Sequence, residues 1–182
     1  LPMDKALRLE QKHFATLVRG DVAQGMIRTL FFARQAADKL ARRPQGLPPT
    51  RVARRGVIGA GFMGAGLAQA SALAGIDVVL LDRSPEAALQ GRDGIARGLA
   101  RDLDKGRLTA EAASAALARI RAGRDYADLA DCELVIEAVF EDVGIKEGVT
   151  RAAEAAMPDS AIFASNTSAL PINDLARASV RR

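Results

Sequence analysis

The stretch Val57-Ile58-Gly59-Ala60-Gly61-Phe62-Met63-Gly64-Ala65-Gly66-Leu67-Ala68 decides how the rest of the chain is read. It sets G-x-G-x-x-G between a short apolar run, Val57-Ile58, which predicts a buried strand, and an Ala/Leu-rich run from Phe62 to Ala74, which predicts a helix closed by Gly75. Alone the motif is a weak signal. Here the next apolar run, Asp77-Val78-Val79-Leu80-Leu81-Asp82, reads as a second strand and ends on an acid 18 residues after Gly64. Strand, glycine turn, helix, strand and acid in this order form the pattern of a dinucleotide-binding unit. Gly59 permits the tight turn, Gly61 has no Cβ to keep a pyrophosphate away, and Gly64 lets the helix lie close to the strand. The helix N-terminus offers unpaired N–H groups and about half a positive charge to phosphates. Asp82 would accept hydrogen bonds from the adenosine ribose and repel a 2′-phosphate, which favours NAD over NADP; Arg83 beside it weakens that preference. The plainer alternative is a glycine turn needed only for packing.

Outward from this unit, strand and helix signals alternate. Residues 85–104 and 109–119 read as a helical hairpin with Gly106 at the turn and Thr109 as a cap. A weaker strand is expected at 120–122, a firm one at Leu134-Val135-Ile136-Glu137, a helix over 142–156 stopped by Pro158, and a last strand at Ala161-Ile162-Phe163-Ala164. Continuous apolar strands separated by helices predict an α/β fold with a doubly wound, Rossmann-type parallel sheet, in strand order 3-2-1-4-5. Upstream, residues 4–19 and 22–42 predict two amphipathic helices, the second capped by Asp21, followed by a linker, Arg43-Pro44-Gln45-Gly46-Leu47-Pro48-Pro49. Their apolar stripes are too small to form a core and need a surface to pack on. The expected organisation is a helical connector over 1–50 and a nucleotide-binding domain over 51–182.

Composition bounds the function classes. At 182 residues and 49% hydrophobic, the chain suits one buried core with an appendage. A single cysteine, Cys132, leaves no internal disulfide framework and no Cys-based zinc site, so no metal is expected. No apolar run reaches the ~18 residues of a membrane span, and Leu1-Pro2-Met3-Asp4-Lys5 does not read as a signal peptide. These features suit a reducing, cytoplasmic setting without a membrane partner. Charge is uneven: residues 1–55 hold 12 Lys/Arg against 4 Asp/Glu, and residues 56–182 hold 14 against 18. A basic leader can bind nucleic acid, but these cations follow helical spacing and lack interleaved aromatics, so they read as solvated helix faces and no nucleic-acid partner is expected. The non-Met start and the Arg181-Arg182 end suggest a piece of a longer protein.

The quoted glycine stretch resembles the NAD-binding domain of 3-hydroxyacyl-CoA dehydrogenases. Two further segments agree: Glu137-Ala138-Val139-Phe140-Glu141-Asp142 followed by Lys146, and Phe163-Ala164-Ser165-Asn166-Thr167-Ser168-Ala169-Leu170. The resemblance covers roughly residues 52–182, and residues 4–49 resemble the connector after the hydratase domain in multifunctional fatty-acid oxidation enzymes. It implies NAD as cofactor, with Gly59, Gly61, Phe62, Met63 and Gly64 at the pyrophosphate and Asp82 at the adenosine ribose. It places Ala138, Val139, Glu141 and Lys146 on the nicotinamide-ribose side. Asn166 and Ser168 would support catalysis, Ser168 reaching the nicotinamide and the substrate's 3-oxygen. Two plainer alternatives stand: Lys146 as a solvated helix lysine and Ser168 as a helix cap before Pro171. Glu137 reads as a strand end rather than a chemical group.

In that family an intact enzyme oxidises (3S)-3-hydroxyacyl-CoA to 3-oxoacyl-CoA in β-oxidation, while a His paired with a Glu takes the hydroxyl proton. That His lies beyond the Asn-Thr-Ser loop, whereas the single histidine here is His13, in the leading helix. The resemblance therefore implies coenzyme binding without turnover by this chain alone, with acyl-CoA as the partner of a full-length protein that forms an oligomer or complex. Two alternatives are another β-hydroxyacid dehydrogenase and a non-catalytic nucleotide-binding or interaction module.

Overall fold

The central apolar runs are buried on both faces, which is why they are apolar at successive rather than alternate positions. In the computed structural model, which describes residues 2–46 and 50–181, they form a parallel sheet. Its strands are β1 (Arg54–Ile58), β2 (Asp77–Leu81), β3 (Ile120–Gly123), β4 (Leu134–Glu137) and β5 (Ile162–Ser165). Their spatial order is β3-β2-β1-β4-β5, as the sequence predicts. Side chains alternate across the sheet. Val57, Val78, Leu80 and Ile120 pack with Ala68 and Ala72 of α4 (Phe62–Leu73), Ile95 and Leu99 of α5 (Pro85–Asp104), and Ala116 of α6 (Ala110–Ala118). Ile58, Val79, Leu81 and Val135 face the other side, with Leu129, Cys132, Met157 and Ala153 of α7 (Val143–Ala156). This two-sided core makes the fold doubly wound.

The register sets up the site. Gly123 pairs with Leu81, Leu81 with Ile58, Ile58 with Glu137, and Glu137 with Ser165. All five strands therefore end in one row. The next residues, Arg124, Asp82, Gly59, Ala138 and Asn166, emerge together at the carboxyl edge, and four are fastened there by backbone bonds. Gly59 N–H donates to Leu81 at 2.7 Å, Ala138 to Ile58 at 2.7 Å, Asn166 to Glu137 at 2.8 Å and Asp82 to Gly123 at 3.2 Å.

Local capping chemistry sets the helix starts. The Ser84 hydroxyl accepts from Ala87 N–H at 3.2 Å, Thr109 from Ala112 at 3.2 Å, and the Asp142 carboxylate from Ile145 at 2.9 Å, each satisfying a donor that a helix N-terminus otherwise leaves open. The C-terminal end of α7 is closed by Arg181, whose guanidinium donates to the carbonyls of Glu154 at 2.8 Å and Met157 at 2.5 Å. A short 3₁₀ turn at Tyr126–Leu129 and the four-residue helix α8 (Ile172–Leu175) were not expected from periodicity, because neither is long enough to show one.

The chain divides into two compact units, Leu1–Pro49 and Thr50–Arg182. In the first, α1 (Met3–Val18) follows the expected helix, but the helix expected over 22–42 is corrected in three ways. Asp21 is its first helical residue rather than its cap: Gly20 is the extended residue before it, and no side chain caps it. The run is α-helical only at α2 (Asp21–Met26) and α3 (Arg34–Asp38), with a wider π-helical stretch at Ile27–Ala33 between them. It ends at Asp38, and Leu40, at φ +52°, turns the chain away. Among the described residues none of these helices buries a side chain; Phe14, Leu17, Leu30, Phe31 and Phe32 are all exposed. Part of the expected linker, Leu47 to Pro49, lies outside the described residues.

Candidate functional site

A groove of about 1490 Å³ opens at the carboxyl edge of the sheet, over the turn between β1 and α4. Gly59, Gly61, Phe62, Met63, Asp82, Ala138, Val139 and Glu141 all line it. The three motif glycines have different reasons to be glycine. Gly59 has φ +101°, and a Cβ there would lie 2.5 Å from the Ala138 carbonyl oxygen. A Cβ on Gly64 would lie 1.7 Å from the Gly59 carbonyl oxygen, so α4 can approach β1 only without one. Both are demanded by packing. At Gly61, with φ −69°, a Cβ would meet nothing of the protein within 4 Å. The space it would enter belongs to the groove, directly before the uncapped N-terminus of α4. An open cradle at a helix N-terminus fits a pyrophosphate.

Asp82 stands at the mouth of this cradle. Its Oδ2 accepts from Ala60 N–H at 2.6 Å and its Oδ1 from Arg83 N–H at 2.7 Å. An ionised carboxylate has about four acceptor positions, so positions remain for vicinal hydroxyls. Helix α5 closes the same side, coming so near that a Cβ on Gly91 would lie 2.5 Å from the Ala60 Cβ.

The other side is built on charge. Lys146, on α7, is 1% exposed. Its ammonium donates to both oxygens of Glu137, at 2.9 and 3.0 Å, and lies 3.2 Å from Glu141 Oε2. Glu137, also 1% exposed, accepts in addition from the Ser165 hydroxyl and from Val139 N–H at 3.3 Å. Glu141 holds the loop after β5: its Oε1 accepts from the Thr167 hydroxyl at 2.5 Å and from the N–H groups of Ser168 and Ala169, each at 3.2 Å. These contacts, the Thr167 hydroxyl foremost, then the Ala169 N–H, the Lys146 ammonium and the Ser168 N–H, outweigh partial desolvation and hold the Glu141 carboxyl down at about 2.

Most of the residues expected at the site meet at the groove, with corrections. Lys146 does not line it; a free ammonium there would face open water, whereas buried against Glu137 and Glu141 it neutralises two carboxylates. It is thus neither a groove cation nor a solvated helix lysine. Gly64 lies beneath the groove as a packing residue. Asn166 and Ser168 do not line it either. They sit just past β5, Ser168 exposed; Ser168 N–H is tied to the groove through Glu141, and Asn166 N–H bonds to the Glu137 carbonyl. The Ser168 hydroxyl caps no helix: Pro171 precedes α8 without a side-chain cap. Glu137 does end a strand, and it is also the buried counter-charge of Lys146. Sequence reasoning missed Thr167, Gly91 and Arg124. Arg124 was within reach of the rule that ligands bind past strand carboxyl ends, had it been applied to the weak third strand; Gly91 meets Ala60 only through helix packing.

The topology, the glycine turn and the acid after β2 define a nucleotide-binding domain of the doubly wound class. Comparison with known proteins is narrower: the model of the 3-hydroxyacyl-CoA dehydrogenase NAD-binding domain matches residues 54–182, and the chain belongs to that family. It is 37% identical over 175 residues to the fatty acid oxidation complex subunit alpha of Pseudomonas putida, covering 96% of this chain and 24% of the relative. Among solved structures, the (S)-3-hydroxybutyryl-CoA dehydrogenase of Ralstonia eutropha superposes with TM-score 0.70 at 37% identity, over 72% of this chain and 46% of that one. The dehydrogenase part of multifunctional enzyme 1 from C. elegans gives 0.65 at 27% identity, over 72% and 30%. The chain thus spans about a quarter of the length of the curated relatives it matches. Among the described residues, no helix is long and apolar enough to cross a membrane.

Proposed function

We propose that this chain supplies the coenzyme half of a cytoplasmic 3-hydroxyacyl-CoA dehydrogenase that works within a fatty-acid oxidation complex subunit, oxidising (3S)-3-hydroxyacyl-CoA to 3-oxoacyl-CoA. Bound NAD would supply the hydride acceptor for C3. Gly61 leaves the pyrophosphate its room, the N-terminus of α4 directs N–H groups at it, and Asp82 accepts from the adenosine ribose. Ala138, Val139 and Glu141 border the groove past β4, and the exposed side chains of Phe62 and Met63 line it at the start of α4. Through Glu141, the loop carrying Asn166 and Ser168 is held beside the groove, which suits Ser168 to donate a hydrogen bond to the substrate's 3-oxygen. In this reading the hydroxyl proton goes to a histidine of the longer protein; the single histidine of this chain, His13, is on α1. The acyl-CoA and the oligomer or complex are those of the longer protein, as the subunit relatives suggest.

The observation that carries this reading is the empty space before α4 at Gly61, the one motif glycine that packing leaves unexplained. Titration with NADH, followed by coenzyme fluorescence, tests it. Gly61→Val should weaken binding by at least ~100-fold, as a misplaced branched side chain displaces phosphate, while thermal unfolding stays within about 0.5 kcal/mol of the unaltered chain. Equal affinity in the variant would remove the site from the glycine turn.

A further inference from the structure

This inference rests on the coenzyme reading above and concerns the adenosine end of the same groove. Asp82 N–H bonds to the Gly123 carbonyl at 3.2 Å, so Arg83 and Arg124 each follow one member of that bonded pair. Both arginines line the groove together with Asp82. Both are exposed, and among the described residues neither guanidinium forms an ion pair or hydrogen bond, unlike nearby Arg119 and Arg121, which pair with Asp77 and Asp128. The Arg124 charge acts on Glu86, whose lowered pKa comes first from its own backbone hydrogen bond and from Ser84, with Arg124 the least of its causes. Asp82 itself is drawn toward the glycine turn by Ala60 N–H.

Two uncommitted guanidiniums therefore belong to residues that line the same groove as Asp82, the carboxylate that would otherwise reject a phosphoryl group on the adenosine ribose. A guanidinium presents a planar fork of donors that matches phosphate oxygens in pairs, and a phosphate monoester near pH 7 carries close to two negative charges. We propose that Arg83 and Arg124 are specificity-determining residues that receive the 2′-phosphate of NADP(H), so that the groove takes NADPH as well as NADH in spite of Asp82.

The test is calorimetric titration of the full chain with NADH and with NADPH at low and high salt, in the unaltered protein and in Arg83→Ala, Arg124→Ala and the double variant, with circular dichroism to verify folding. NADPH should bind within about tenfold of NADH at low salt, and the gap should widen as salt screens the phosphate contacts. Each single variant should weaken NADPH by ~10-fold and the double variant by more, with NADH changed less than about threefold. NADPH binding undetectable where NADH binds would overturn the proposal. So would equal weakening of both coenzymes in the variants, which would show the arginines stacking on adenine instead. Failure of the unaltered chain to bind either coenzyme would overturn the coenzyme reading itself, and this proposal with it.

Discussion

Lys146 carries a full charge into a place where 1% of it meets solvent, and it is stable there only because Glu137 and Glu141 meet it. Moving an ion out of water costs several kcal/mol, which close, well-oriented counter-charges offset. Removing one partner is therefore worse than removing both. Lys146→Met should cost about 3–5 kcal/mol by stranding Glu137 beside the Ser165 hydroxyl, and pairing it with Glu137→Leu should recover much of that loss. Urea unfolding of the two single variants and the double variant checks this; additive losses would mean the groups do not act as a pair. The glycines separate at the same scale. Gly64→Ala, which drives a Cβ into the Gly59 carbonyl, should destabilise by about 1–3 kcal/mol even without any ligand, whereas Gly61→Val acts on binding.

At the scale of the element, the loop after β5 has little regular structure to hold it: Thr167, Ser168 and Ala169 all hang on the Glu141 carboxylate. The Glu141 pKa is depressed from the ordinary 4.5 to about 2 in the folded chain. The sign follows directly. A depressed carboxyl contributes its tie fully above the unfolded value and loses it as pH falls through the folded one. The amide resonances of Ser168 and Ala169 should therefore stay constant from neutral pH to about 4.5, then shift together with a midpoint near 2. A midpoint near 4.5 would show that the loop is not fastened this way. Glu141→Gln, which keeps shape but loses charge, should loosen the loop at all pH values, seen as faster hydrogen exchange at the same two amides.

On the scale of the whole molecule, Cys132 reports the integrity of the sheet. It lies in the core beside Leu129 and Val135, and burial pushes its thiol up to about 11. Since only the thiolate reacts readily, a disulfide reagent should label Cys132 slowly in the native chain and rapidly in denaturant. A coenzyme that binds the folded state alone stabilises it by about 2.7 kcal/mol at a hundredfold excess over Kd, so saturating NADH should slow labelling further. Native labelling as fast as in urea would contradict the buried position.

How much could be read beforehand depends on the range of the interactions involved. The α/β alternation, the strand order, the cap at Thr109 and the turn at Gly59 were legible because each rests on residues close in the chain: apolar runs, a hydroxyl three residues from an open N–H, a glycine at positive φ in a strand-to-helix turn. So was the meeting of Asp82 with the glycine turn at one groove, since both lie within one strand–helix–strand unit. Tertiary structure alone decided that Lys146 turns inward, that Glu141 grips a loop 26 residues away, and that Arg83 and Arg124 line one groove. These depend on parallel pairing, which sets the ends of distant strands in one row and so chooses which charges meet; no periodicity records that. The expected continuous second helix failed for the opposite reason: a wide π-helical turn at Ile27–Ala33 keeps the helical spacing of apolar residues while altering the hydrogen bonds beneath it.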